Sequence, residues 1–156
     1  MFRAFTIAAV STAVLALSPS VFAQGTADEA KAMLSKAVEA VKADKTKALD
    51  MFNKGEGGFL DRDLYVFCSN VSDGKIIAIG NPNTKQLLGV DARSLKDSTG
   101  KAFGQAIYEA GQKQDGQTTE VGDYLFIKPG PDTKPAPKTS FVTRIGDIFC
   151  GVGYYK

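Results

Sequence analysis

The chain has 156 residues, of which 44% are apolar and 23% charged, with a formal net charge of +2. That length suits a single domain with an ordinary core, and the near-neutral balance offers no field for nucleic acid or an anionic membrane. The absence of histidine removes Ser-His and Cys-His nucleophiles and imidazole metal sites together.

Met1-Phe2-Arg3 gives a short positive start, Ala4 to Leu17 is mostly apolar, and Pro19 breaks the run. Val21-Phe22-Ala23 places small residues at the cleavage positions before Gln24. This is the pattern of a secretory signal peptide over residues 1–23, too short and wrongly flanked for a membrane span. An uncut N-terminal anchor is the alternative. Residues 24–156 then make one exported domain, expected in the periplasm, with no later run apolar enough to cross a bilayer.

Thr26-Ala27-Asp28-Glu29 reads as a capping box, with Thr26 at the cap and Glu29 reaching back. Ala30, Leu34, Ala37, Val38, Val41, Ala48, Leu49 and Phe52 then follow helical spacing until Gly55. The spacing predicts a long amphipathic helix over 26–53, with Asp44-Lys45 as its weak point. Its apolar stripe needs cover, from the sheet or from a partner: a homodimer or a second protein docked on the helix. Gly55-Glu56-Gly57-Gly58 is a joint; no Lys-Ser/Thr pair follows, so it is not a phosphate loop.

Leu64 to Ser69 alternates strictly, as does the tail from Ile148 to Tyr155, and each carries one of the two cysteines. These strands are expected side by side at the sheet centre, joined by Cys68–Cys150, because an exported chain favours a disulfide. Two separate buried thiols are the alternative. Leu64, Val66, Cys68, Ile148, Cys150 and Val152 should face the long helix; Tyr65, Phe67, Gly151 and Gly153 should face the other way.

Ser72-Asp73-Gly74-Lys75 is a hairpin turn into a strand over 75–79, which Gly80-Asn81-Pro82-Asn83 stops. Residues 84–100 lack periodicity; Leu87, Leu88, Val90 and Leu95 tack them to the core. Asp97-Ser98-Thr99-Gly100 is a turn without the later carboxylate that calcium requires. A short helix follows, with Phe103, Ile107 and Ala110 on one face. Strands are expected over 124–128 and 138–145, flanking a loop whose prolines should keep it out of any ladder. The order predicts an α+β fold: a central antiparallel sheet of about five strands, the long helix on one face, a short helix and loops on the other.

No metal site, cofactor or catalytic group is expected. Asp61 and Asp63 lie where solvated acids belong, and Gly151-Val152-Gly153 closes a strand too near Lys156 to be a dinucleotide loop. Two glycines on one strand face mark a close approach by something. That neighbour is either the short helix or a small ligand, with Tyr65, Tyr124, Lys138 and Ser140 as polar anchors. For Lys138 a solvent-facing side chain is the plainer reading; holding a carboxylate as a point charge is the sharper one.

Leu64-Tyr65-Val66-Phe67, Asp73-Gly74-Lys75-Ile76-Ile77-Ala78 and Leu95 to Phe103 resemble a single Cache domain, the extracytoplasmic sensor domain of bacterial chemoreceptors and sensor kinases. So do Lys138-Thr139-Ser140-Phe141-Val142 and Gly151-Val152-Gly153-Tyr154-Tyr155. The resemblance implies a PAS-like sheet and a non-enzymatic domain that binds a small molecule, carboxylate or amino-acid-like. Its pocket would be formed by Tyr65, Phe67, Tyr124, Phe126, Lys138, Ser140, Gly151 and Gly153. A stand-alone exported form is expected, since neither anchor nor output domain follows. The competing expectation is an interaction module that docks a partner on the long helix and fills the pocket with its own side chains.

Overall fold

The computed structural model describes residues 23–156, so the signal peptide expected over 1–23 falls, but for Ala23, outside the described residues. The capping box forms as the residue types require: Thr26 accepts the Glu29 amide, and the Glu29 carboxylate accepts the Thr26 amide at 2.8 Å. Helix α1 runs Ala27–Ala43 and α2 runs Lys45–Lys54. Asp44 separates them with extended backbone, closing α1 and capping α2 by accepting the Lys47 amide at 3.0 Å. Gly55 ends α2 at φ +70°, a left-handed position that suits glycine.

Six strands follow: β1 Leu60–Asp61, β2 Leu64–Asn70, β3 Ile76–Ile79, β4 Thr118–Ile127, β5 Pro135–Ile145 and β6 Ile148–Tyr155. All pairings are antiparallel, in the order β1-β2-β6-β5-β4, with β3 also on β2. The two alternating strands are neighbours, and Cys68 lies opposite Cys150 in the register. The disulfide joins them with Cα atoms 4.0 Å apart.

The two faces of the sheet meet different partners. Leu64, Val66, Cys68, Ile148, Cys150 and Val152 pack with Ala30, Leu34, Ala37 and Val41 of α1. On the other face Val142 and Phe149 pack under helix α3, Phe103–Gly111, through Phe103, Ile107 and Ala110. Gly111 makes room there, since a Cβ on it would stand 2.3 Å from the Phe149 ring. A third cluster joins Tyr65, Ile76, Ile79 and Ala92. The aperiodic stretch is built from two 3₁₀ turns, Pro82–Leu87 and Ala92–Ser94, each entered through an Asn or Asp side chain that caps it.

Two boundaries differ from expectation. Strand β4 begins at Thr118 rather than Tyr124, and its start is exposed on an edge strand, so the apolar alternation that marks a half-buried strand is missing. Pro135 and Pro137 join the ladder, pairing with Ile127 and Leu125. Amide directions alternate along a strand, and the Pro137 carbonyl accepts from Lys156 on the β6 side. Both prolines therefore turn their missing donors toward the end of β6, leaving Ala136 to face β4.

Candidate functional site

The face of the sheet under α3 carries Tyr65 and Phe67 from β2, Tyr124 and Phe126 from β4, Lys138 from β5 and Tyr155 from β6. Lys138 is 1% exposed, which corrects the reading of it as a solvent-facing lysine. Its stem crosses the sheet over Gly153, where an added Cβ would lie 2.3 Å from Lys138 Cε. Its Nζ then donates to the Tyr65 hydroxyl at 2.7 Å.

Four aromatic rings surround the ammonium, with centroids at 4.1 Å for Tyr65, 5.0 Å for Tyr155, 5.1 Å for Phe126 and 5.9 Å for Phe67. Such faces attract a cation by their quadrupoles. Among the described residues no carboxylate hydrogen-bonds it. Burial pushes the Lys138 ammonium down to about 7, with the negative charge of Asp63 working the other way. Burial also pushes the Tyr65 hydroxyl up to about 12 and raises those of Tyr124 and Tyr155.

Beside this amine is a cavity of about 40 Å³, space for a water or two. Tyr65, Phe67, Tyr124, Phe126 and Lys138 line it, with Ser69, Ile76, Ile79, Ala92, Leu95, Phe103 and Ile107. Helix α3 closes it at Gly104, where a Cβ would overlap the Ala92 carbonyl. The turn at Asp97 fixes the far wall. Its carboxylate accepts the Thr99 hydroxyl and the amides of Thr99, Lys101 and Leu125, which hold it down to about 2. The bond to Leu125 ties that turn to β4 beside Tyr124.

Three of the residues expected in the pocket stand behind its wall. Ser140 shares a 2.6 Å hydrogen bond with the Tyr124 hydroxyl. Gly151 faces Phe67, whose ring tip would lie 2.4 Å from a Cβ there, and Gly153 gives passage to Lys138. The room above the two glycines is thus taken by Phe67 and Lys138, rather than by the short helix or a ligand. Ile76, Ile79 and Ala92 were not among the expected lining. Leu95, Phe103 and Ile107 carried a signal as apolar residues of the tacked-on segment and short helix, but nothing local marked them as a wall.

A twisted antiparallel sheet, backed by an N-terminal helix and holding a small aromatic cavity under a short helix, defines a PAS-like sensor-type domain. The family model for Single Cache domain 2 matches residues 12–155. The chain belongs to the single Cache domain family.

Solved structures with this fold include a periplasmic sensor domain of a chemotaxis protein, 23% identical at TM-score 0.59, covering 82% of this chain and 88% of that one. A methyl-accepting chemotaxis protein from Vibrio parahaemolyticus is 25% identical at TM-score 0.63, covering 82% and 86%. A Cache chemosensory domain described for carboxylic acid recognition is 19% identical at TM-score 0.61, covering 82% and 91%. No curated protein matches. Among the described residues no helix is long and apolar enough to cross a membrane, and no group of three or more acidic or cysteine side chains is placed to hold a metal.

Proposed function

We propose that this domain is a periplasmic, non-enzymatic binding or sensing domain whose ligand is a short carboxylate held by Lys138. The carrying observation is a buried ammonium with a hydroxyl and four rings around it and no hydrogen-bonded carboxylate among the described residues. A carboxylate entering the cavity supplies the missing charge, and desolvation makes that pair strong once formed. The structural relative described for carboxylic acid recognition supports this choice of chemistry.

Tyr65, Phe67, Tyr124, Phe126 and Lys138 make the binding surface. Ser140 orients Tyr124, and Gly151 and Gly153 leave room for Phe67 and the lysine stem. A cavity of about 40 Å³ suits only a compound of very few carbons, seated as Lys138 or a ring shifts aside. Export through a signal peptide over residues 1–23 agrees with a disulfide between the only two cysteines.

The small volume also favours a second reading, in which Phe67 and Lys138 plug the pocket and helices α1 and α2 dock a protein partner or a second copy. A thermal-shift screen against short carboxylates, amino acids and amines separates the two. Stabilisation by acetate or propionate supports the carboxylate site. No shift with any of these, together with a dimer through the helices in light scattering, overturns it in favour of the plugged module.

A further inference from the structure

Nζ of Lys138 is an amine held beside a small, mostly apolar cavity, 2.7 Å from a hydroxyl, with aromatic rings around it. Anion binding uses the protonated form of that group. The neutral form has a different chemistry, because a lone pair on nitrogen attacks carbonyl carbon. We propose that Lys138 captures short aldehydes reversibly, as an imine formed in this cavity. The inference rests on the cavity being open to small molecules, as the reading above also requires, but not on the ligand being an anion.

Several features fit an aldehyde of one or two carbons. The cavity volume is about 40 Å³, room for a water or two, so the carbon skeleton must be short. Ile76, Ile79, Ala92 and Leu95 line it with hydrocarbon and offer no second cation, which suits an uncharged carbonyl group. Burial lowers the lysine to about 7, so near neutral pH a large fraction of this side chain carries the free lone pair. A solvated surface lysine stays protonated there.

In the first step the Nζ lone pair forms a C–N bond as the carbonyl π pair moves onto oxygen. The Tyr65 hydroxyl hydrogen-bonds to that oxygen as its charge develops. A proton passes from nitrogen to oxygen to give a carbinolamine. The nitrogen lone pair then expels the oxygen, which leaves as water with the second nitrogen-borne proton. Aldehyde and amine thus become imine and water, with no oxidant or reductant.

The test is reductive trapping on the whole protein: acetaldehyde with cyanoborohydride at neutral pH, followed by peptide mapping. Lys138 should gain one ethyl group at least about tenfold faster than the surface lysines, given the difference in neutral fraction. Tyr65→Phe, which keeps the ring, should slow that labelling and leave surface labelling unchanged. Labelling of surface lysines at the same rate, or with Lys138 untouched, overturns the proposal. Adding acetate separates the two readings. Protection of Lys138 by acetate supports both; labelling undiminished by acetate supports aldehyde capture and counts against the carboxylate site. Acetate binding seen by calorimetry with no label on Lys138 overturns aldehyde capture alone.

Discussion

A lysine taken out of water normally brings a carboxylate with it, and Lys138 brings a hydroxyl and four rings instead. The unfolded chain holds this proton up to the ordinary lysine range, whereas the folded one releases it near 7. Between those values the unfolded state binds more protons, so the contribution of Lys138 to stability rises with pH from about 7 and levels off near 10.5. The titratable groups facing it are the hydroxyls of Tyr65, Tyr124 and Tyr155, which burial keeps neutral over this range, and, further off, the carboxylate of Asp63. Denaturant melts of Lys138→Met should therefore be more stable than wild type near pH 6, with a gap of a few kcal/mol that narrows toward pH 10. A constant gap across that range would mean that the buried lysine does not titrate as described. Little of this was visible in the sequence: Lys138 follows a proline-rich stretch that reads as solvent-facing. The glycine that admits its stem and the tyrosine that receives its ammonium lie 15 and 73 residues away.

At the scale of elements, strict alternation carried the reading furthest. Strands β2 and β6, their neighbour relation, the disulfide and the separate faces all follow from period-two patterns and two cysteines, because each strand has a different environment on each side. Both cysteines are fully buried in the layer under α1, and the bond spans 82 residues of sequence. Replacing both with alanine should lower stability by about 2–5 kcal/mol in denaturant melts, and intact non-reduced protein should weigh two hydrogens less than the dithiol. A double variant as stable as wild type would refute the structural role of that bond. The helix break has a local cause in Asp44, whose side chain caps α2. Asp44→Ala should cost about 0.5–2 kcal/mol by the same measurement, while Asp44→Asn should retain most of the stability. Two elements differ from the sequence expectation for physical reasons. The start of β4 is an exposed edge with no apolar alternation, and the prolines of β5 are tolerated because their missing donors face the end of β6 and not β4. Neither fact is available before the pairing is known.

For the whole molecule, one sheet separates two jobs. Its disulfide-bearing face is closed by α1 with a continuous hydrocarbon layer, while its aromatic face keeps a small cavity under α3. The fold class and its family were legible because the alternating strands, turns and short helix occur in a recognisable order. The cavity wall was not, because Ile76, Ala92 and Leu95 come from a short strand and aperiodic turns that meet only after folding. The proposed binding belongs to the aromatic face, where the cavity lies, while the disulfide-bearing face is the one that the helices cover. On the proposed reading, a buried lysine with no hydrogen-bonded anion anchors a short carboxylate. Titration calorimetry of acetate and propionate against wild type and Lys138→Met measures this directly. The prediction is saturable binding at one site, weakened at least about 30-fold in the variant, since removing one partner of a buried charge pair costs about 2–5 kcal/mol. Equal affinity in the two proteins, or no binding by wild type, would contradict it.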